Sequence, residues 1–154
     1  MRAVLQRVSK GSVSVDNKIV AQIGLGYVIL LGIGPDDTPQ LAGELAEKTA
    51  YLRVFEDDAG KMNRSLLDVG GEAIVVSQFT LYADCRRGNR PGFTGAEEPV
   101  AAKGLYEEFV RLVREQMPDA VSGDFGAKML VEIANDGPVT IILDTPAGGR
   151  HEGQ

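Results

Sequence analysis

The chain has 154 residues, 44% hydrophobic and 25% charged, which is enough for one domain with its own core. Its formal net charge of −6 disfavours nonspecific nucleic-acid binding, which relies on many cation–phosphate contacts, but leaves room for a local basic patch. A single cysteine excludes an intrachain disulfide and a single histidine argues against an N/S-ligated zinc site; no apolar run reaches the ~18 residues of a membrane span.

The opening Met1–Val8 is charged too early for a signal peptide, so a cytoplasmic location is the default expectation. Residues 2–8 alternate apolar and polar, a strand pattern. Ser12–Val15 and Lys18–Ala21 flank Asp16-Asn17, a plausible hairpin turn. Gly26–Ile33 is almost wholly apolar and predicts a strand buried on both faces. Thr38-Pro39 predicts an N-cap with proline in the first helical turn, and Leu41, Leu45 and Leu52 are expected to line one face of that helix. Asp57–Gly60 is a turn cluster. Ala73–Phe79 predicts a second buried strand, followed by a loop over 83–96 rich in Gly, Arg and Pro. Pro99–Met117 predicts a helix with Tyr106, Phe109, Val110, Val113 and Met117 on one stripe, ended by Pro118. Lys128–Ala134 and Val139–Leu143 are the last expected strands, and the chain from Gly148 is expected to fray. The pattern is α+β: one domain over 1–145, a mainly antiparallel, barrel-like sheet with two helices, and a flexible tail over 146–154.

Two segments carry candidate chemistry. Ser77-Gln78-Phe79-Thr80 closes an apolar run with two hydroxyls and an amide. A Ser or Thr nucleophile needs a base within reach, and the one histidine, His151, lies in the Gly-rich tail. Satisfying backbone groups at a strand end is the bland role for both hydroxyls. A third role is open: where a strand stops pairing, free N–H groups can stabilise an oxyanion. Cys85 beside Arg86 and Arg87 could form a thiolate, but without a positioned base it reads as an ordinary loop cysteine. Arg86, Arg87 and Arg90 are either solvated loop charges or the local basic patch. In Asn135–Thr140, Asp136-Gly137 is a common hairpin signal, but Pro138 removes a ladder donor and belongs at a strand start or edge.

Ser77-Gln78-Phe79-Thr80-Leu81-Tyr82-Ala83, Asn89-Arg90-Pro91 and Asn135-Asp136-Gly137-Pro138-Val139-Thr140 together resemble the D-aminoacyl-tRNA deacylase family, as do the opening octapeptide and Gly123–Ala127. The resemblance covers Met1 to about Thr145. It implies a homodimer that hydrolyses the ester of D-aminoacyl-tRNA; selection by exclusion of the L side chain would also pass the achiral glycyl ester, and no ligand cluster in the sequence calls for a cofactor or metal. It implies a cis Gly137-Pro138 bond entering the partner's pocket to hold the substrate amine. It implies oxyanion N–H groups at Phe79 and Thr80, and substrate contacts from Ser77, Gln78, Met129 and Arg7. Arg86, Arg87 and Arg90 would then meet tRNA. The competing expectations are a small-ester hydrolase using Thr80 or Cys85 and a non-enzymatic dimeric binding domain.

Overall fold

β1 (Arg2–Val15) is the spine of the sheet. In this computed structural model, which describes residues 1–145, it runs unbroken for 14 residues and joins the two segments expected at 2–8 and 12–15. The alternation changes face midway. Ala3 and Leu5 are buried against the helices, whereas Val8 and Val13 are buried in a second core on the opposite face. The switch comes after Val8: Ser9 is an extra residue on β1 between the pairs Val8↔Asn135 and Lys10↔Ala134, and one added residue turns a period-2 pattern over.

β2 (Lys18–Ile23) folds back through Asp16 and Asn17, whose φ values of 50° and 64° are those a two-residue type I′ hairpin needs. β3 (Gly26–Gly32) shares the same edge of β1 and is buried on both faces, as expected: Tyr27, Ile29 and Leu31 toward the helices, Val28 away from them. β8 (Leu130–Asp144) runs antiparallel along the other edge of β1 from end to end. The expected strands Lys128–Ala134 and Val139–Leu143 are therefore one element.

Parallel pairing enters at β6 (Glu72–Ser77), which lies beside β3 on one side and β7 (Val121–Ser122) on the other. Parallel strands need long crossovers. α1 (Pro39–Tyr51) and a small hairpin, β4 (Phe55–Glu56) and β5 (Met62–Arg64), supply the first. α2 (Pro99–Gln116) supplies the second. The result is an α+β fold, two helices on a nearly closed, barrel-like mixed sheet in which most pairings are antiparallel. The sequence pattern had not shown β4, β5 or β7, whose two or three residues are too short to display a period.

Both helix starts follow the sequence. Thr38 Oγ1 accepts from Leu41 N–H at 3.3 Å, and Glu98 accepts from Val100 and Ala101 at 3.1 and 2.6 Å. The α2 stripe is buried as expected. The α1 face differs: Ala42, Leu45, Ala46, Thr49 and Ala50 are buried, whereas Leu41 and Leu52 are only half-buried. Leu45 with the small residues Ala42, Ala46, Thr49 and Ala50, at i, i+3, i+4, i+7 and i+8, forms the buried stripe, along which the helix packs closely on α2, and Leu41 and Leu52 flank it. Residues 146–154, including the tail and His151, lie outside the described residues.

Candidate active site

β6 ends at Ser77, two residues earlier than expected, because its partner β3 ends at Gly32. Gln78 N–H makes a last bond to Leu31 O at 2.8 Å, and the chain then tightens into a 3-10 turn over Phe79–Tyr82. Leu81 N–H and Ala83 N–H bond back to Gln78 O and Thr80 O at 3.2 and 3.1 Å. The N–H groups of Phe79 and Thr80 reach no acceptor among the described residues, as expected for the first donors of a turn. The Gln78 side-chain amide donates to Thr80 Oγ1, which occupies that hydroxyl.

The turn borders a groove of about 610 Å³. Ser77, Gln78, Phe79, Phe93, Phe125, Met129 and Val131 are among the residues that line it. Phe79 is 59% exposed and meets Phe93 edge-on, with centroids 5.0 Å apart. A concave, mostly apolar surface with a few backbone polar groups at its rim suits a flat or aliphatic group joined to a carbonyl. Thr80, Arg7, Gly137 and Pro138 are not among its lining residues.

The second segment is a bulge, not a hairpin. Between the pairs Gln6↔Thr140 and Val8↔Asn135, β1 contributes one residue, Arg7, and β8 contributes four, 136–139. The surplus is extruded: Asp136, Gly137 and Pro138 are exposed, while Val139 stays buried as an anchor. The Gly137-Pro138 peptide is cis.

Arg7 lies beneath this bulge, only 4% exposed. Its Nε donates to Asp136 O at 3.1 Å, Nη1 to Val54 O at 2.8 Å and Nη2 to Glu56 Oε1 at 3.4 Å. The planar guanidinium fork spans three acceptors at once, which a lysine could not do. Arg7 is thus a support of the bulge, where the resemblance placed it at the substrate. On the other flank Asn135 Oδ1 accepts from Val139 N–H at 3.0 Å, and Asn135 Nδ2 donates to Gln6 Oε1 at 2.6 Å. Sequence reasoning missed Gln6, Asn135 and Glu56 as supports. Polar Gln6 directly beside Arg7, between apolar Leu5 and Val8, was the available signal. Gly137 has φ +121°, and a Cβ there would stand 2.8 Å from Arg7 Nη2 and 2.9 Å from Val139 Cγ2. Only glycine fits.

The basic loop is exposed throughout Cys85–Arg90. Arg86 is paired with Asp84 at 2.8 Å; its guanidinium and backbone N–H hold that carboxyl down at about 2. Arg87 and Arg90 present their charge outward. Among the described residues no three His, Cys, Asp or Glu side chains gather as ligands for a cation, and no histidine stands by Ser77, Thr80 or Cys85.

Over residues 4–144 the chain matches the family model described as D-Tyr-tRNA(Tyr) deacylase. Proteins named D-aminoacyl-tRNA deacylase from Fervidobacterium nodosum and Deinococcus deserti are 57% and 54% identical to it. Those alignments cover 94% and 95% of this chain and 97% and 100% of the relatives. A solved structure described as c-Myc DNA Unwinding Element Binding Protein superposes with a TM-score of 0.90 at 42% identity, covering 96% of this chain and 100% of its own. Another, described as a probable eukaryotic D-amino acid tRNA deacylase, gives 0.82 at 19% identity over 94% and 98%, a likeness of fold.

Proposed function

The chain belongs to the D-Tyr-tRNA(Tyr) deacylase family, and from that premise we infer that it hydrolyses the ester joining a D-amino acid to the terminal adenosine of tRNA. The products are the free D-amino acid and tRNA, and the role is chiral proofreading in translation, in the cytoplasm where charged tRNA is found. The observation that carries this reading is the match along nearly the whole chain, which includes both the 3-10 turn and the Gly137-Pro138 bulge.

In this reading the unpaired N–H groups of Phe79 and Thr80 receive the developing oxyanion. Ser77, Gln78 and Met129 line the substrate groove. No protein side chain is the nucleophile; water attacks, helped by the substrate's own 2′-hydroxyl. An ester is already activated, so positioning and oxyanion stabilisation suffice. The enzyme works as a homodimer, and the partner's Gly137-Pro138 bulge enters the groove with its carbonyls toward the substrate amine. A bulge that is exposed, rigidly braced and absent from its own chain's groove supports such an exchange. Arg87 and Arg90, with Arg86, meet tRNA phosphates. With amine and carbonyl fixed, an L side chain overlaps backbone, whereas a D side chain points to open space. Repulsion of this kind discriminates more sharply than a lost contact.

The test compares D-Tyr-, L-Tyr- and Gly-tRNA under identical conditions. The expected outcome is rapid loss of D-Tyr, loss of Gly, and an intact L-Tyr ester. Equal rates for D and L would defeat the exclusion mechanism. The binding-domain reading draws on the relative described as a DNA-element binding protein. A net charge of −6 speaks against a duplex partner, and failure to cleave all three esters would favour that reading.

A further inference from the structure

The 3-10 turn Phe79–Tyr82 is only four residues long, too short to set its own orientation. Its orientation is set from outside. At the near end, Gln78 N–H is bonded to Leu31 O. At the far end, Arg2 Nη1 donates to Leu81 O at 3.1 Å, and the guanidinium carbon stands 5.8 Å from the centre of the Tyr82 ring. Leu81 O takes no backbone N–H among the described residues, so Arg2 is its partner within the chain. The Tyr82 ring in turn lies on bare backbone. A Cβ at Gly32 would come 3.0 Å from the ring, and one at Gly34 would come 3.1 Å from its hydroxyl. Burial pushes the Tyr82 phenol up to about 12, so it stays neutral across the physiological range. Arg2 is itself held: its Nε donates to Asp144 Oδ1 on β8 at 2.7 Å. One rigid fork thus ties the last strand to the C-terminal half of the turn.

We propose that Arg2 is a positioning residue for the deacylation, holding the 3-10 turn so that the Phe79 and Thr80 N–H groups are aimed before the ester arrives. This rests on the deacylase reading above. Arg2 does not line the groove, so it acts through the turn and not on the substrate. Oxyanion donors are effective only when preorganised, and a displacement of ~1 Å can cost ~10²-fold in rate. The chemical step should therefore suffer while binding is kept.

The experiment is single-turnover deacylation of D-Tyr-tRNA by the full-length protein carrying Arg2→Gln, Arg2→Lys or Asp144→Asn. Amide hydrogen exchange over residues 78–83 is read in parallel without substrate. Arg2→Gln should lower the saturating rate by ~10- to 100-fold, with the half-saturating concentration within about twofold. It should also speed exchange at Leu81 and Ala83, while the melting transition moves little. Arg2→Lys, able to satisfy one partner at a time, should fall between Arg2→Gln and wild type. Asp144→Asn keeps the Leu81 bond and should lose less than Arg2→Gln. A wild-type rate together with wild-type exchange in Arg2→Gln overturns the proposal, as does a loss confined to the half-saturating concentration. If Arg2→Gln does not fold, Arg2→Lys decides: reduced rate with faster local exchange supports the proposal, and wild-type values overturn it. Failure of the wild type to cleave D-Tyr-tRNA overturns the deacylase reading and Arg2's catalytic role with it. Exchange then still decides whether the tether exists.

Discussion

Tyr27 shows how a single buried group sets a local free energy. It is fully buried against Phe55, with ring centroids 5.3 Å apart, and its hydroxyl has no hydrogen-bond partner among the described residues. Burial pushes its phenol well above the ordinary value. A buried polar atom without a partner costs ~1–3 kcal/mol of desolvation, so Tyr27→Phe should leave stability unchanged or raise it by up to ~1 kcal/mol in urea unfolding. A clear loss would show that the hydroxyl is bonded in solution. Asp84 gives the opposite sign. Arg86 favours its charged form and holds its pKa at about 2, against 3.8 for a free carboxyl. The pairing therefore stabilises the loop above pH 4, and the contribution is lost as pH falls through about 2. Carboxyl-carbon NMR should place the Asp84 midpoint near 2, and Arg86→Gln should return it toward 3.8. A wild-type midpoint near 3.8 would mean that the pair does not persist in solution.

At the scale of elements, the Asp136–Val139 bulge is the feature on which the proposed mechanism depends. It is a disruption of a ladder, and such disruptions re-aim backbone groups. Arg7 braces it from below and Asn135 from the side, so its shape is set by the strands it interrupts. Gly137→Ala places a Cβ within 2.9 Å of both Arg7 and Val139 at a φ of +121°. The expected loss is ~1–3 kcal/mol of stability, from the strain of an L residue at such a φ. A disproportionate fall in deacylation of ~10²-fold should accompany it, because the carbonyls move by about an ångström. Unfolding midpoints and single-turnover rates on the same sample separate the two. Wild-type activity in this variant would remove the bulge from the mechanism.

At the scale of the whole molecule, β8 carries apolar side chains left in solvent. Leu130 and Ile142 on that strand are 64% and 62% exposed, large apolar side chains on either side of a rigid, extruded bulge. Solvated apolar surface beside such a feature fits burial in a second copy. Light scattering should return twice the chain mass of 16.4 kDa at assay concentration. A monomer with full activity would take the partner's Gly137-Pro138 out of the groove and end the exchange model. Among the described residues no helix is long and apolar enough to cross a membrane.

The sequence by itself determined what depends on a few neighbouring residues. The Asp16-Asn17 turn, the Thr38-Pro39 helix start, the α2 stripe and the doubly buried β3 were all legible, because capping, turn geometry and periodicity are local rules. The two candidate segments were legible too, but only as a pair that resembles a known family, since each alone also reads as an ordinary strand end or hairpin. Tertiary structure alone decided how those segments are held. Periodicity could not show that two short apolar runs are one strand, since their continuity comes from pairing with β1 on either side of Arg7. Nor could it assign Arg7 to the Asp136 carbonyl, 129 residues away, or Arg2 to the Leu81 carbonyl, 79 away. A charged side chain selects its acceptor by desolvation and geometry, and both exist only once the chain has closed around it.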